Sequence, residues 1–147
     1  MKEMEAARIT TEDELKQAFS IRVAVFVEEQ GVSVEEELDE FDTLDGECAH
    51  VLVYYDKTPV GTGRVRVVED SGKLERICIL KEYRKYGLGK VILAKLEEIA
   101  AENGLKKTKL HAQTRAQGFY EKLGYKVESD VFMEADIPHV LMTKKLF

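Results

Sequence analysis

The ten residues KEYRKYGLGK, Lys81 to Lys90, hold four cationic side chains, two glycines and one acid, Glu82. That is a local +3 in a chain whose 28 acidic and 22 basic residues sum to −6. An amphipathic pattern follows at once, so a helix begins here. A helix start presents free backbone N–H groups and the positive end of the helix dipole, and glycine lets the main chain approach a ligand closely. The chemistry on offer is a phosphate cradle. A P-loop is excluded, because Arg84 and Val91 stand where it needs Gly and Ser or Thr; a Rossmann fingerprint is excluded by Ile92 in place of a third glycine. The competing reading is a helix start with a solvated basic face.

Other reactive types are more dispersed. Glu35 to Asp42, EEELDEFD, places six carboxylates in eight residues, a pattern that also describes a solvated, flexible acidic loop. His50, His111 and His139 occur singly, without metal-ligand spacing, so no metal is assigned. Cys48 and Cys78 are the only cysteines, and the apolar run ICIL around Cys78 favours a reduced, buried thiol over a disulfide.

These residues need elements to position them. A short strand around Ala7 to Ile9 precedes a capping box, Thr11 with Glu14, and Leu15, Phe19, Val23 and Phe26 then recur at helical spacing toward a stop near Gln30 and Gly31. HVLVYY, the turn DKTP, VGTGRVRVV, the turn EDSG and KLERICIL read as a β-meander, with Arg64 and Arg66 alternating against Val65 and Val67. Leu88, Ile92, Leu96 and Ile99 form one stripe of a helix that stops at Gly104. KTKLHAQ is a strand, AQGFYEKLG a short helix, YKVES or VFME a further strand, and HVLMTKK the last. The crossover helix makes the third meander strand and KLHAQ parallel. A meander followed by alternating helices and strands is an α/β arrangement (mixed α+β), with helices on the faces of a mixed sheet.

The totals bound the function. At 147 residues, with no Pro/Gly/Ser linker and no repeat, one domain over residues 1–147 is expected. Net acidity argues against a general nucleic-acid or anionic-membrane surface, since such binding needs excess Lys and Arg. No apolar run approaches a membrane span and MKEMEAARITTEDEL lacks a signal peptide's apolar core, so the expected location is cytoplasmic.

RKYGLG, Arg84 to Gly89, has the form RxxGxG; with LERICIL before it and KVILAKLEEIA after it, it resembles the acetyl-CoA-binding core of the GCN5-related N-acetyltransferase (GNAT) superfamily. LHAQTRAQGFYEKLGYK resembles the family's later strand and helix, while IRVAVFVEEQ, GRVRV and IPHVLMTK make the chain similar to the small bacterial ElaA/YjcF-like branch. The resemblance implies a GNAT fold, with a mixed central sheet of about six to seven strands and about four helices on its faces. It also implies acetyl-CoA as cosubstrate, no metal, an amine acceptor and, by analogy, a homodimer. The pyrophosphate is then expected against the backbone of Arg84, Lys85, Tyr86, Gly87, Leu88 and Gly89, with Lys90 close by. Pantetheine is expected beside Ile77, Cys78 and Ile79, whose N–H groups lie where the family opens its sheet. Gln113 stands where many relatives have a cofactor-contacting asparagine. Tyr120 matches the tyrosine that approaches the CoA sulfur.

Acetyl transfer to an amine requires a neutral nucleophile, donors for the oxyanion and a proton or hydrogen bond for the leaving thiolate. Glu75 is the leading candidate base, two residues before Ile77 and on its face by strand alternation; Glu28, Glu29 and water remain alternatives. By position the acidic run lies where such enzymes close over the acceptor, where it would attract a cationic amine. The expected function is an acetyl-CoA-dependent N-acetyltransferase acting by direct attack in a ternary complex; the alternative is a non-catalytic acyl-CoA-binding module.

Overall fold

Residues 3–44 and 46–146 are described by a computed structural model of the chain. Strand β1 (Met4–Arg8) leads into α1 (Glu12–Arg22), whose N-terminus is closed by the expected capping box: Glu14 N–H donates to Thr11 Oγ1 at 3.2 Å, and Thr11 N–H to Glu14 Oε1 at 3.1 Å. The helix does not remain α-helical. Over Val23–Glu29 it widens into a π-helix and ends at Gln30 and Gly31, the latter at φ 80°. The single turn α2 (Val34–Glu37) follows, with the Ser33 side chain as its cap.

The meander is present as β2 (Cys48–Tyr55), β3 (Thr58–Val68) and β4 (Ser71–Ile79). Asp56 and Lys57 form its first tight turn, with positive φ at both residues, as a two-residue hairpin requires. A 3₁₀ segment, Lys81–Tyr86, precedes α3 (Leu88–Glu102), and the expected stripe Leu88, Ile92, Leu96 and Ile99 is buried. Then come β5 (Lys107–Gln113), a 3₁₀ turn, α4 (Gln117–Lys122), β6 (Lys126–Val127), β7 (Phe132–Glu134) and β8 (Ile137–Lys145).

Among the described residues the eight strands form one sheet in the order β1-β2-β3-β4-β5-β8-β6, with β7 also paired to β8. The β4–β5 pair is parallel and the others are antiparallel. The strand count exceeds the expected six to seven because the chain uses both alternatives before the last strand: β6 and β7 are only two and three residues long. Four α-helices occur among the described residues, in line with the expected number. Each face of the sheet carries its own core. On one, α3 covers Val51, Val53, Val65, Leu74, Leu110 and Ala112; on the other, α1 packs Leu15, Ala18 and Ile21, and the π-helix packs Val25, against Leu52 and Cys78. Cys48 and Cys78 are both buried free thiols.

Candidate active site

The site begins where two neighbouring strands part. β4 and β5 pair only at Gly72–Thr108, Lys73–Lys109 and Leu74–Leu110. Beyond Leu74 the rest of β4 stays with β3, and beyond Leu110 the rest of β5 stays with β8. The sheet opens into a V, and a cleft of about 820 Å³ occupies it, reaching both faces.

A bulge decides which side chains face which way. Arg76 has φ 58°, and the β3–β4 register jumps so that Glu75 pairs with Arg64 but Cys78 with Thr62, leaving Arg76 and Ile77 opposite Gly63. The extra residue inverts the alternation. Leu74, Ile77 and Ile79 belong to the α3 side, whereas Cys78 packs in the α1 core. Glu75, one residue past Leu74, lies on the α1 side beside Arg64. The expectation that Glu75 and Ile77 share a face therefore does not hold: a single left-handed residue between them turns them apart.

On the α3 side, the 3₁₀ segment brings the chain to Gly87, whose φ of 75° favours glycine and which precedes α3 without any side-chain cap. The first-turn N–H groups of α3 thus carry no capping side chain. A Cβ on Gly89 would lie 2.9 Å from Phe119 Cζ, so this glycine lets the α4 ring seat directly on the helix start. Lys85 and Lys90 are exposed, with Lys85 Nζ 5.5 Å from the centre of the Tyr86 ring. Arg84 is not free. Its Nη1 and Nη2 donate to the Glu29 carboxylate at 2.6 and 2.7 Å, and its Nε to the Ile79 carbonyl at 3.0 Å. The Arg84 hydrogen bonds hold the Glu29 carboxyl below its ordinary range. This clamp fastens the basic turn to the end of the π-helix.

Tyr120 lines the cleft from α4, its ring edge-on to Phe119 and Tyr125. Among the described residues its hydroxyl has no hydrogen-bond partner, and burial pushes the phenol up to about 12. It is a donor at neutral pH. Complete proton transfer to a thiolate near 8.5 would be uphill by about 3.5 units, about 5 kcal/mol, so its strength lies in a hydrogen bond to sulfur.

The α1 side is built from charge. Arg22, 1% exposed, donates to Glu37 Oε1 at 2.7 Å and to Asp42 at 2.6 and 3.1 Å; Arg64, 2% exposed, contacts Asp39, Asp42 and Glu75 at 2.8 to 3.1 Å. Arg76 adds bonds to the Glu36 and Glu37 carbonyls and to Asp39, and the Phe41 ring lies under Arg66 at 4.3 Å. The acidic run is therefore a strap fixed to the sheet, not a flexible loop. Glu37, Asp39 and Asp42 are consumed by arginines, while Glu35, Glu36 and Glu40 stay exposed. Glu75 sits among Arg64, Arg66 and Lys73, each within 3.0 Å. Burial alone would raise its carboxyl, but Arg66, Arg64 and Lys73 outweigh that and bring it down to about 2, which leaves little basicity. Glu28 is exposed outside the cleft lining.

Gln113, at the end of β5, donates to Gln30 Oε1 at 2.9 Å and accepts from Arg115 Nε at 2.8 Å, joining the π-helix to β5 across the α1 side of the cleft. Its amide is engaged with protein rather than open to a ligand. Nearby, His111 Nδ1 is 2.8 Å from Glu134 Oε1, and His139 Nε2 is 3.7 Å from Glu134 Oε2. Sequence reading missed this group because β5, β7 and β8 bring its members together over 28 residues. A partial signal was present: in LHAQ, His111 and Gln113 alternate with core-facing Leu110 and Ala112. No set of three or more His, Cys, Asp or Glu side chains able to hold a metal occurs among the described residues. No described helix is long and apolar enough to cross a membrane.

A split parallel pair, a bulged strand and a glycine-basic helix start define the acyltransferase scaffold of the GNAT fold. Residues 10–146 match the Acetyltransferase (GNAT) domain family, and the chain belongs to that family of N-acetyltransferases, in its ElaA/YjcF-like branch. It is 61% identical over 143 residues to the uncharacterized protein YyaT of Bacillus subtilis, covering 97% of both chains. It is 47% identical over 142 residues to the uncharacterized N-acetyltransferase YjcF of the same organism, covering 96% of this chain and 99% of the relative. The crystal structure of Escherichia coli ElaA superposes with a TM-score of 0.83 at 25% identity, covering 98% and 99% of the two chains. PaiA N-acetyltransferase from Thermoplasma acidophilum, solved in complex with coenzyme A, shares the fold with a TM-score of 0.72 at 20% identity, covering 97% and 99%.

Proposed function

We propose that the protein transfers an acetyl group from acetyl-CoA to a primary amine of a small molecule, peptide or protein, by direct attack in a ternary complex. The observation that carries this reading is the open V between β4 and β5, with an uncapped, glycine-rich helix start and the unpartnered Tyr120 hydroxyl lining the same cleft. That PaiA, which has the same fold, was solved in complex with coenzyme A supports an acyl-CoA cosubstrate. Backbone N–H groups from Gly87 to Lys90 receive the pyrophosphate, with Lys85 and Lys90 adding positive charge. The edge of Ile77 to Ile79 that β5 leaves takes pantetheine as an added strand and supplies oxyanion donors, while its Ile79 carbonyl is held by Arg84. Arg84 acts from behind, holding the turn through Glu29 and Ile79. Tyr120 donates to the thioester sulfur as it gains charge, and Glu75, held by three cations, orders the acceptor wall.

The test is thiol release from acetyl-CoA with a pool of polyamines, aminoglycosides, amino-acid esters and lysine peptides, beside calorimetry of CoA binding. Release that depends on amine is expected. CoA binding without release from any pool would favour a binding module, and no CoA binding would remove the cofactor assignment itself.

A further inference from the structure

Two polar residues flank the apex of the V on the α1 face. Lys73 and Lys109 are paired neighbours there, and one step on, where pairing has ended, alternation places Glu75 on β4 and His111 on β5. Both line the cleft. They differ in what holds them: Glu75 is saturated by Arg64, Arg66 and Lys73, whereas His111 touches one carboxylate, Glu134. An ionised carboxylate only accepts, so the hydrogen lies on Nδ1 and the free lone pair of the neutral ring on Nε2. Among the described residues Nε2 has no partner. Phe132 packs edge-on to the ring at 5.0 Å and stacks on His139, whose Nδ1 is committed to the Ile137 carbonyl at 2.7 Å.

We infer that His111 is the general base of the transfer, with Glu134 as the residue that positions its ring; this rests on the acetyl-transfer reading above. The neutral amine attacks the thioester carbonyl carbon from the α1 face, forming the N–C bond while the carbonyl oxygen takes up charge. Nε2 of His111 removes the surplus proton from the nitrogen. The carbonyl re-forms, the C–S bond breaks, and sulfur leaves as a thiolate hydrogen-bonded by Tyr120 from the α3 side. The imidazolium proton then returns to the thiolate through solvent, so that amine and thioester become amide and thiol. The sheet, split at its apex, lets base and sulfur donor reach one carbonyl from opposite faces. Glu134 stabilises the transient imidazolium, and the other charged or titratable groups that act on its carboxylate are His139 on β8 and Lys73 on β4.

The test compares wild type, His111→Gln, His111→Ala and Glu134→Gln, using the best amine of the pool. CoA affinity by calorimetry, unchanged within about 2-fold, certifies the fold of each variant. A base of this kind contributes about 10²- to 10⁴-fold, so His111→Gln should lower kcat/KM at least about 100-fold. Added imidazole should restore part of the His111→Ala rate. Glu134→Gln should lower the rate about 10-fold, and ¹⁵N spectra of its histidines should show a mixture of His111 tautomers in place of the single Nδ1–H form expected of wild type. Retention of rate in His111→Gln overturns the assignment while leaving acetyl transfer intact, as does a wild-type Nε2–H tautomer. A wild type that transfers to no amine takes both readings down.

Discussion

The two sides of the V are made of different materials. The α3 side is main chain and aliphatic packing: Gly87, an uncapped helix start, and Ile77 and Ile79 against the α3 core. The α1 side is a lattice of side chains in which the buried Arg22 and Arg64 tie Glu37, Asp39, Asp42 and Glu75 into one network. A cofactor with a constant handle can be held by backbone geometry. An acceptor wall built from side-chain charge can vary residue by residue on the same scaffold. The difference teaches that the two faces are held by different forces: buried arginines fix the strap on the charged face, and main-chain geometry shapes the face to which the proposed reading assigns the cofactor.

Substitution can break this contrast most forcefully at Arg64. Arg64→Ala empties a fully buried cation site, leaves the partly buried Asp42 and Glu75 without their common cation and should cost about 3–5 kcal/mol, read as a lower urea midpoint. CoA affinity measured below the transition should change little if the two faces are as separate as drawn.

Acid acts on the same network more gradually. The folded-state carboxyls of Asp39, Asp42 and Glu75 lie below their ordinary values, Glu75 at about 2. Their stabilisation is present above the unfolded carboxylate range near 4 and is lost as pH falls toward 2. Glu37, raised mainly by burial, works in the opposite sense and returns part of the loss as it protonates. Thermal melts between pH 6 and 2, roughly the span of these titrations, should therefore decline chiefly below about pH 4; a flat profile there would mean the arginines do not hold the strap.

On the other face, Tyr120→Phe removes one hydrogen bond to sulfur and no packing volume of consequence. A fall of about 10-fold in kcat, with CoA affinity unchanged, is the expectation from a hydrogen bond worth about 1–1.5 kcal/mol. Loss of 1,000-fold or more would instead make the tyrosine a full proton donor. The smallest effect belongs to the clamp. Glu29→Gln weakens an exposed pair worth under about 1 kcal/mol, and calorimetry should show CoA binding weaker by only about 2- to 5-fold. Charge at Arg84 matters through the position of the turn, so Arg84→Lys, unable to keep the fork, should behave like Glu29→Gln.

Much of this could be read before folding was considered. The capping box at Thr11, the stripe from Leu88 to Ile99 and the hairpin turns are local signals, each spanning one element, and all appear in place. RKYGLG likewise carried its own context. What escaped reading involved a single backbone event or a distant partner. The left-handed Arg76 breaks an alternation that Glu75 and Ile77 otherwise obey. The π-helix at Val23–Glu29 follows from no spacing rule. EEELDEFD looks solvated until Arg22 and Arg64, from a helix and a strand elsewhere, supply the cations.

By itself the sequence determined the family, the order of most elements, the apolar stripe of α3 and the glycine-basic turn at its start, because hydrophobic period, caps and glycines act within a few residues of themselves. Only the tertiary structure decided which charges are spent and which remain. Arg84 is paired with Glu29, and Glu75 is paired with three cations. His111 is joined to Glu134 and otherwise open to the cleft. A side chain's reactivity depends on what lies within about 4 Å of it, and on the α1 face those neighbours come from strands and loops far apart in the chain.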